Sequence, residues 1–216
     1  MPGVQQSKRG CLTQAVFKKT LIAKDNSVYP INLDIIGNEF PGDITTIGSP
    51  DILRNKKVGL FCSTKCPGNL IVATYDLACS LRDQGVTVIS GFHTLMEKEA
   101  LKYLLKGKQP IIICPARSIG GMRIPSELKK DLDQGRLLIL SPFDKKDKRI
   151  TAELALLRNR FVAAVADEVL VIHSYPGSKT EELAKEIVSW RKPFFTLQDA
   201  KNENLIKLGA GIKTIP

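Results

Sequence analysis

An α/β fold is what this sequence predicts: a doubly wound, mostly parallel sheet of about six to eight strands with helices on both faces. Three observations carry that prediction. From residue 56 onward, β-branched apolar runs alternate with segments whose apolar residues recur at helical spacing. The runs show little polar alternation, as strands covered on both faces do. The 216 residues, 43% hydrophobic and 25% charged, are also enough to bury one good core.

The elements follow in chain order. Before residue 56 the pattern is weak: residues 12–22 read as a short helix, and Pro30, Gly37, Pro41 and Gly42 break any long element over residues 29–48, with a strand near 44–47. Residues 1–43 are therefore expected to form an arm packed on the core, and residues 44–216 a Rossmann-like domain. Strands are predicted at 57–62, 86–90, 110–114, 137–140, 168–172 and 194–197. Helices at 70–83, 96–106, 126–134, 151–165 and 180–190 supply the crossovers, right-handed by rule. Near the chain end, Phe194, Phe195 and Leu208 are expected either to close the core or to be covered in a dimer.

Composition narrows the function classes. No apolar run approaches the roughly 18 residues of a membrane span, and no apolar signal core follows the first charged residues, so a cytoplasmic protein without a membrane partner is expected. The five cysteines are odd in number and irregular in spacing, unlike a secreted disulfide framework. Cys62 and Cys66, with only His93 and His173 to join them, do not make the four-ligand spacing of a zinc site, and no cofactor is expected. Lys and Arg number 32 against 22 Asp and Glu, a net charge of +10 that suits a polyanionic partner. Clusters such as Lys145, Lys146, Lys148 and Arg149 read as solvated surface.

In an open parallel sheet, ligands meet the carboxyl ends of strands, where loop amides and helix N-termini face outward. After the first predicted strand come Ser63, Thr64 and Lys65, then Gly68, small hydroxyls and a cation suited to phosphate without a dinucleotide GxGxxG fingerprint. After the second come Ser90 and Gly91, with Thr94 placed to cap the next helix. Arg117 and Arg123 occupy the loop after the third. Gly177, Ser178, Lys179 and Thr180 follow the fifth. Together these loops describe a shallow, positive, hydroxyl-rich rim.

The strand and Ser90-Gly91 turn, Ser141-Pro142 at a strand end, Arg158-Asn159-Arg160 before an apolar strand, the turn from Pro176 to Thr180, and Asn204-Leu205-Ile206 leading to Gly209-Ala210 follow one another in an order that resembles the DprA/Smf family. Tyr29-Pro30 and Gly48 fit its upstream segment, so the resemblance covers most of residues 29–210. It implies a Rossmann-like fold of the SLOG superfamily that binds single-stranded DNA, dimerises, and helps load a recombinase during DNA-mediated transformation. It also implies that Arg158 and Arg160 belong to the binding block. The family's Gly-Ser-Arg after the first strand falls on Cys62-Ser63-Thr64, with Lys65 standing in for the arginine, and its glycine and aspartate after the second fall on Leu95 and Glu97. On a helix Arg158 and Arg160 lie ~200° apart. One is therefore expected to be an internal strut, and the other to reach the rim only if its helix begins late.

A related group of nucleotide-cleaving phosphoribohydrolases uses a PGGxGTxxE motif, whose beginning Pro176–Thr180 resembles, which leaves a nucleotide as the alternative ligand. Leu183 stands where the motif's acid would be. Cys62 and His173 end strands on the same edge, but nothing in the sequence orients the imidazole. Without a positioned acid and base, a binding protein is expected rather than an enzyme.

Overall fold

The computed structural model describes residues 17–40 and 42–214. Nine strands form one sheet in the order β1-β2-β6-β5-β4-β3-β7-β8-β9. They are β1 Lys19–Ile22, β2 Ile44–Gly48, β3 Lys57–Phe61, β4 Thr87–Ser90, β5 Ile111–Ile113, β6 Leu137–Ser141, β7 Glu168–Val171, β8 Phe194–Thr196 and β9 Gly211–Ile212. From β3 to β9 every pairing is parallel, and β1 and β2 are added antiparallel beyond β6. The helices are α1 Gly68–Asp83, α2 Leu95–Leu104, α3 Ser126–Asp133, α4 Ala152–Val165, α5 Lys179–Ser189 and the short α6 Glu203–Lys207. The sheet is doubly wound as expected, and wider than expected because β1 and β9 extend its two edges.

Strand alternation divides the core. Leu60, Val88, Ile111, Leu137 and Ile139 face α1, α2 and α3, while Phe61, Ile89, Ile112, Leu138 and Leu140 face α4 and α5. At β3, Gly59 is required by the closeness of α4's end: a Cβ there would stand 3.0 Å from that of Ala166. The 3-10 segment Ile31–Glu39 adds Leu33 and Ile36 to the α4 side, and the following Phe40 meets the Phe161 ring edge-on at 5.2 Å.

One expectation changes, and one open alternative narrows. The predicted helix over residues 12–22 lies partly outside the described residues, and its last part is strand β1, where Lys19–Ile22 pair with Ile44–Ile47 of β2. Backbone pairing with an available edge outweighs a weak local helical pattern. Phe194 is buried, and Phe195 and Leu208 are partly buried against the core of the same chain.

The end of α4 is held from outside the helix. Lys192 Nζ donates to the carbonyls of Ala163, Ala164 and Ala166 at 2.5–2.8 Å, partnering groups that a helix end otherwise leaves without donors. Burial pushes Lys192 down to about 8, Asp167 opposing that shift and Lys57 adding to it. The unfolded chain keeps this proton up to about 10.5 and the folded chain releases it near 8, so between those values the unfolded state binds more protons. Thermal melts should show Lys192→Met less stable than the wild type by several degrees. The gap should widen as pH rises from 8 toward 10; a gap that narrows over that interval refutes the assignment.

Candidate nucleic-acid interface

The chain runs from β3 outward to β6, then returns to place β7 on the other side of β3, so the loops after β3 and β7 leave side by side. Main-chain bonds extend the contact past the strands: Ile172 N–H donates to Phe61 O at 2.8 Å and Ser63 N–H to His173 O at 2.9 Å. Ser63 and Ser178 are buried, with Ser63 Oγ donating to Ser178 Oγ at 3.4 Å and Ser174 Oγ 2.9 Å from Ser178 Oγ. Ser178 also caps α5, accepting from Glu181 N–H at 3.2 Å. These hydroxyls form the floor of the switch point, while Thr64 and Lys65 above them are exposed.

Two buried carboxylates brace the neighbouring turns. Glu97 accepts from the N–H groups of Cys62 (3.1 Å), His93 (2.8 Å) and Thr94 (3.3 Å), and Thr94 accepts from Glu97 N–H, which closes a capping box on α2. Glu181 accepts from Asn204 and from Gly177 N–H, and these bonds hold its carboxyl below the usual carboxylate range. Gly177 has φ 74°, a left-handed conformation that glycine adopts without strain. Pairing with Cys66, and then burial, holds the Cys62 thiol well above the usual thiol range, and the same pairing lowers Cys66 against the effect of its own burial.

The outer layer is cationic. Lys65 follows β3, and Lys179 at the start of α5 is exposed and paired with Glu182 at 2.9 Å. Thr180 is half-buried in the first turn of α5. Arg117, after β5, lines a cleft with Lys145 and Lys148, which the sequence pattern had assigned to plain solvated surface. Ser141 at the end of β6 fixes that loop by donating to Arg117 O at 2.9 Å. Ser90 is fully buried, and its Oγ accepts from Phe92 N–H at 3.1 Å.

A model of the family described as DNA recombination-mediator protein A matches residues 20–214. The chain belongs to that family. No curated protein matches it. Among solved structures it is similar to DNA processing protein A from Streptococcus pneumoniae, with TM-score 0.74 and 18% identity over 92% of this chain and 71% of the other. It is also similar to DNA processing protein A from Helicobacter pylori, with TM-score 0.72 and 23% identity over 90% of each chain, in a study of that protein's single-stranded DNA binding mode. A molybdenum cofactor carrier protein from Chlamydomonas reinhardtii shares the fold more distantly, at TM-score 0.51 and 15% identity over 74% of this chain and 91% of that one.

Within this recombination-mediator fold, the two arginines of the Arg158-Asn159-Arg160 block are not on the open rim. Helix α4 begins at Ala152, capped by Thr151, so the late start that would aim Arg160 at the rim does not occur. Arg158 is 3% exposed, and its guanidinium donates to Cys114 O at 2.9 Å and Asn159 Oδ1 at 2.7 Å. It lies against Gly91, where a Cβ would fall inside the guanidinium group. Arg160 instead bonds Glu186 at 2.6 Å and Glu39, tying α4 to α5 and to the 3-10 segment. Both carry structural tasks, and Arg158 does so directly beneath the Gly91 turn. His173 Nδ1 lies 2.9 Å from Asn202 Oδ1, so its ring is oriented by a residue the sequence did not single out.

Gly91→Ala should therefore act through Arg158. Calorimetry should show a loss of about 1.5–3 kcal/mol for Arg158→Met, the range for hydrogen bonds to a charged group. Gly91→Ala should lose at least as much, and should cost little when made in the Arg158→Met background. Additive losses in the double variant would mean that the two residues do not share this contact.

Proposed function

We propose that this protein binds single-stranded DNA through phosphate contacts along the carboxyl edge of its sheet, acting in the cytoplasm in DNA processing as a recombination mediator. The observation that carries this reading is the layering of the rim: exposed cations at Lys65, Lys145, Lys148 and Lys179, with the half-buried Arg117 among them, stand over loops braced by internal hydrogen bonds. Such cations neutralise phosphate without reading sequence. The Helicobacter pylori structure, described by its single-stranded DNA binding mode, supports the choice of strand. A recombination mediator passes its strand to a recombinase, so that partner belongs to the same reading, as does a homodimer visible by light scattering at micromolar protein. Binding is the proposed role, with Ser63, Thr64, Ser90, Gly91, Gly177, Ser178 and Thr180 shaping the floor and Arg158 supporting it.

Fluorescence anisotropy with labelled oligo-dT and duplex DNA at several salt concentrations tests this directly. The single strand should bind more tightly, with log affinity falling as log salt rises. Lys65→Ala, Arg117→Ala and Lys179→Ala should each weaken binding and reduce the slope by about 0.7, the value for one phosphate on a single strand. Equal affinity for duplex, or wild-type slopes in all three variants, would remove the rim from consideration.

A further inference from the structure

The cysteines have no task in DNA binding, and among the described residues two of them stand together. Cys62 directly follows β3 and is buried in the core cluster on the α1 side of the sheet, and Cys66 is half-buried against the same cluster. The Cys62 backbone is pinned, its N–H donating to Glu97 at 3.1 Å and that of the next residue, Ser63, to His173 O at 2.9 Å. Cys66 lies just before α1, its Sγ 3.8 Å from Pro67 O, and it lines an open cleft with Lys65, His173, Tyr175 and Lys201. Between the two cysteines the chain bends outward at the exposed Thr64 and Lys65. The remaining described cysteines lack this setting: Cys79 is half-buried within α1, and Cys114 is fully buried, its thiol pushed up to about 12 by burial although Arg158 opposes that shift.

A thiol that reacts with an oxidant must be reachable and must lose its proton readily, and a second thiol must lie within reach of its sulfur to resolve the product. Cys66 meets the first demand at the cleft, with the exposed ammonium groups of Lys65 and Lys201 beside it, and pairing with Cys62 lowers it against its own burial and Asp199. Cys62 meets the second from inside. We propose that Cys62 and Cys66 are a redox pair that a peroxide converts to a reversible disulfide, and that closing this bond draws Lys65 away from phosphate. The thiolate of Cys66 attacks one peroxide oxygen and breaks the O–O bond, giving a sulfenic acid and a hydroxide that takes a proton to leave as water. The Cys62 sulfur then attacks the Cys66 sulfur, and the S–O bond breaks as the Cys62 proton passes to the departing hydroxyl, which leaves as a second water. The two thiols together lose two electrons, and the peroxide gains them. A disulfide brings Cβ atoms to about 3.5–4.5 Å, and because Cys62 is pinned, the Thr64-Lys65 bend supplies the adjustment. The effect on Lys65 rests on the rim reading; the disulfide itself does not.

The full chain treated with hydrogen peroxide, then alkylated and digested without reductant, should yield one cross-linked peptide joining Cys62 to Cys66, which dithiothreitol abolishes. Cys62→Ala should instead trap the sulfenic acid of Cys66 as a dimedone adduct, and Cys66→Ser should leave Cys62 unmodified. Absence of the cross-link in the wild type, or a cross-link to another cysteine in its place, overturns the pair whether or not the variants fold. Anisotropy with labelled oligo-dT reads the second half. Oxidised protein should bind more weakly, by about the factor that Lys65→Ala costs, with a salt slope lower by about 0.7. Dithiothreitol should restore both, and Cys66→Ser should not respond to peroxide. A cross-linked protein that keeps its affinity, while Lys65→Ala loses it, overturns the effect on Lys65. If Lys65→Ala itself binds as the wild type does, the rim reading fails at that residue, and the peptide map still decides the disulfide.

Discussion

The pairing of β7 with β3 in the middle of the sheet is the constraint on which the rest of the structure depends. Because the chain reverses its winding there, the loops after these strands diverge to opposite faces, one entering α1 and the other α5. A crevice at that point follows from topology. What the sequence adds is the filling: small hydroxyls at Ser63, Ser174 and Ser178 bond one another across the gap, so the two loops stand in fixed register. A larger apolar residue at any of these positions would hold the loops apart, or leave buried amides without partners.

Polar groups beneath the rim are costly to bury, and their arrangement shows how the cost is offset. Glu97 takes three backbone N–H groups from two successive loops, Glu181 takes one backbone N–H and an amide, and Arg158 reaches from α4 to the carbonyl after β5. Each ties a strand-end turn to a helix that packs against the sheet. The turns are thereby held in place before any ligand arrives, which lowers the ordering entropy that binding would otherwise cost. Exposed lysines above this layer keep their freedom and their hydration, as suits contacts that work through charge.

Legibility in the sequence followed the range of the interaction involved. Strands β3, β4, β6 and β7 were plain because burial on both faces makes a continuous apolar run, and the cap at Thr94 was readable because a cap acts within a few residues. The edge strands were not: Lys19–Ile22 and Gly211–Ile212 are set by the neighbour they pair with, which local pattern does not record. The same holds at the site. Lysines in strand-end loops could be placed on the rim from order alone, but Arg158 against Gly91 and His173 against Asn202 join residues far apart in the chain. Arg160 shows the opposite error, a motif residue whose partners Glu39 and Glu186 draw it away from the rim.

The kinds of residue left outward also set the kind of recognition available. Guanidinium groups give directional, forked bonds, and Arg158 and Arg160 have theirs committed to protein oxygens, while much of the outward charge is lysine, a compact charge on a flexible stem. Phe92, which could have offered a stacking face, is turned into the core with φ 45° and leaves Tyr175 as the exposed ring at the switch point. A surface of this composition gains affinity from the phosphate spacing of a flexible strand and little from base identity, because most of its contacts have no geometry with which to tell bases apart. Discrimination, where it exists, must come from groups whose hydrogen-bonding direction is fixed, and beside Tyr175 the Asn202 oxygen fixes that of the His173 ring.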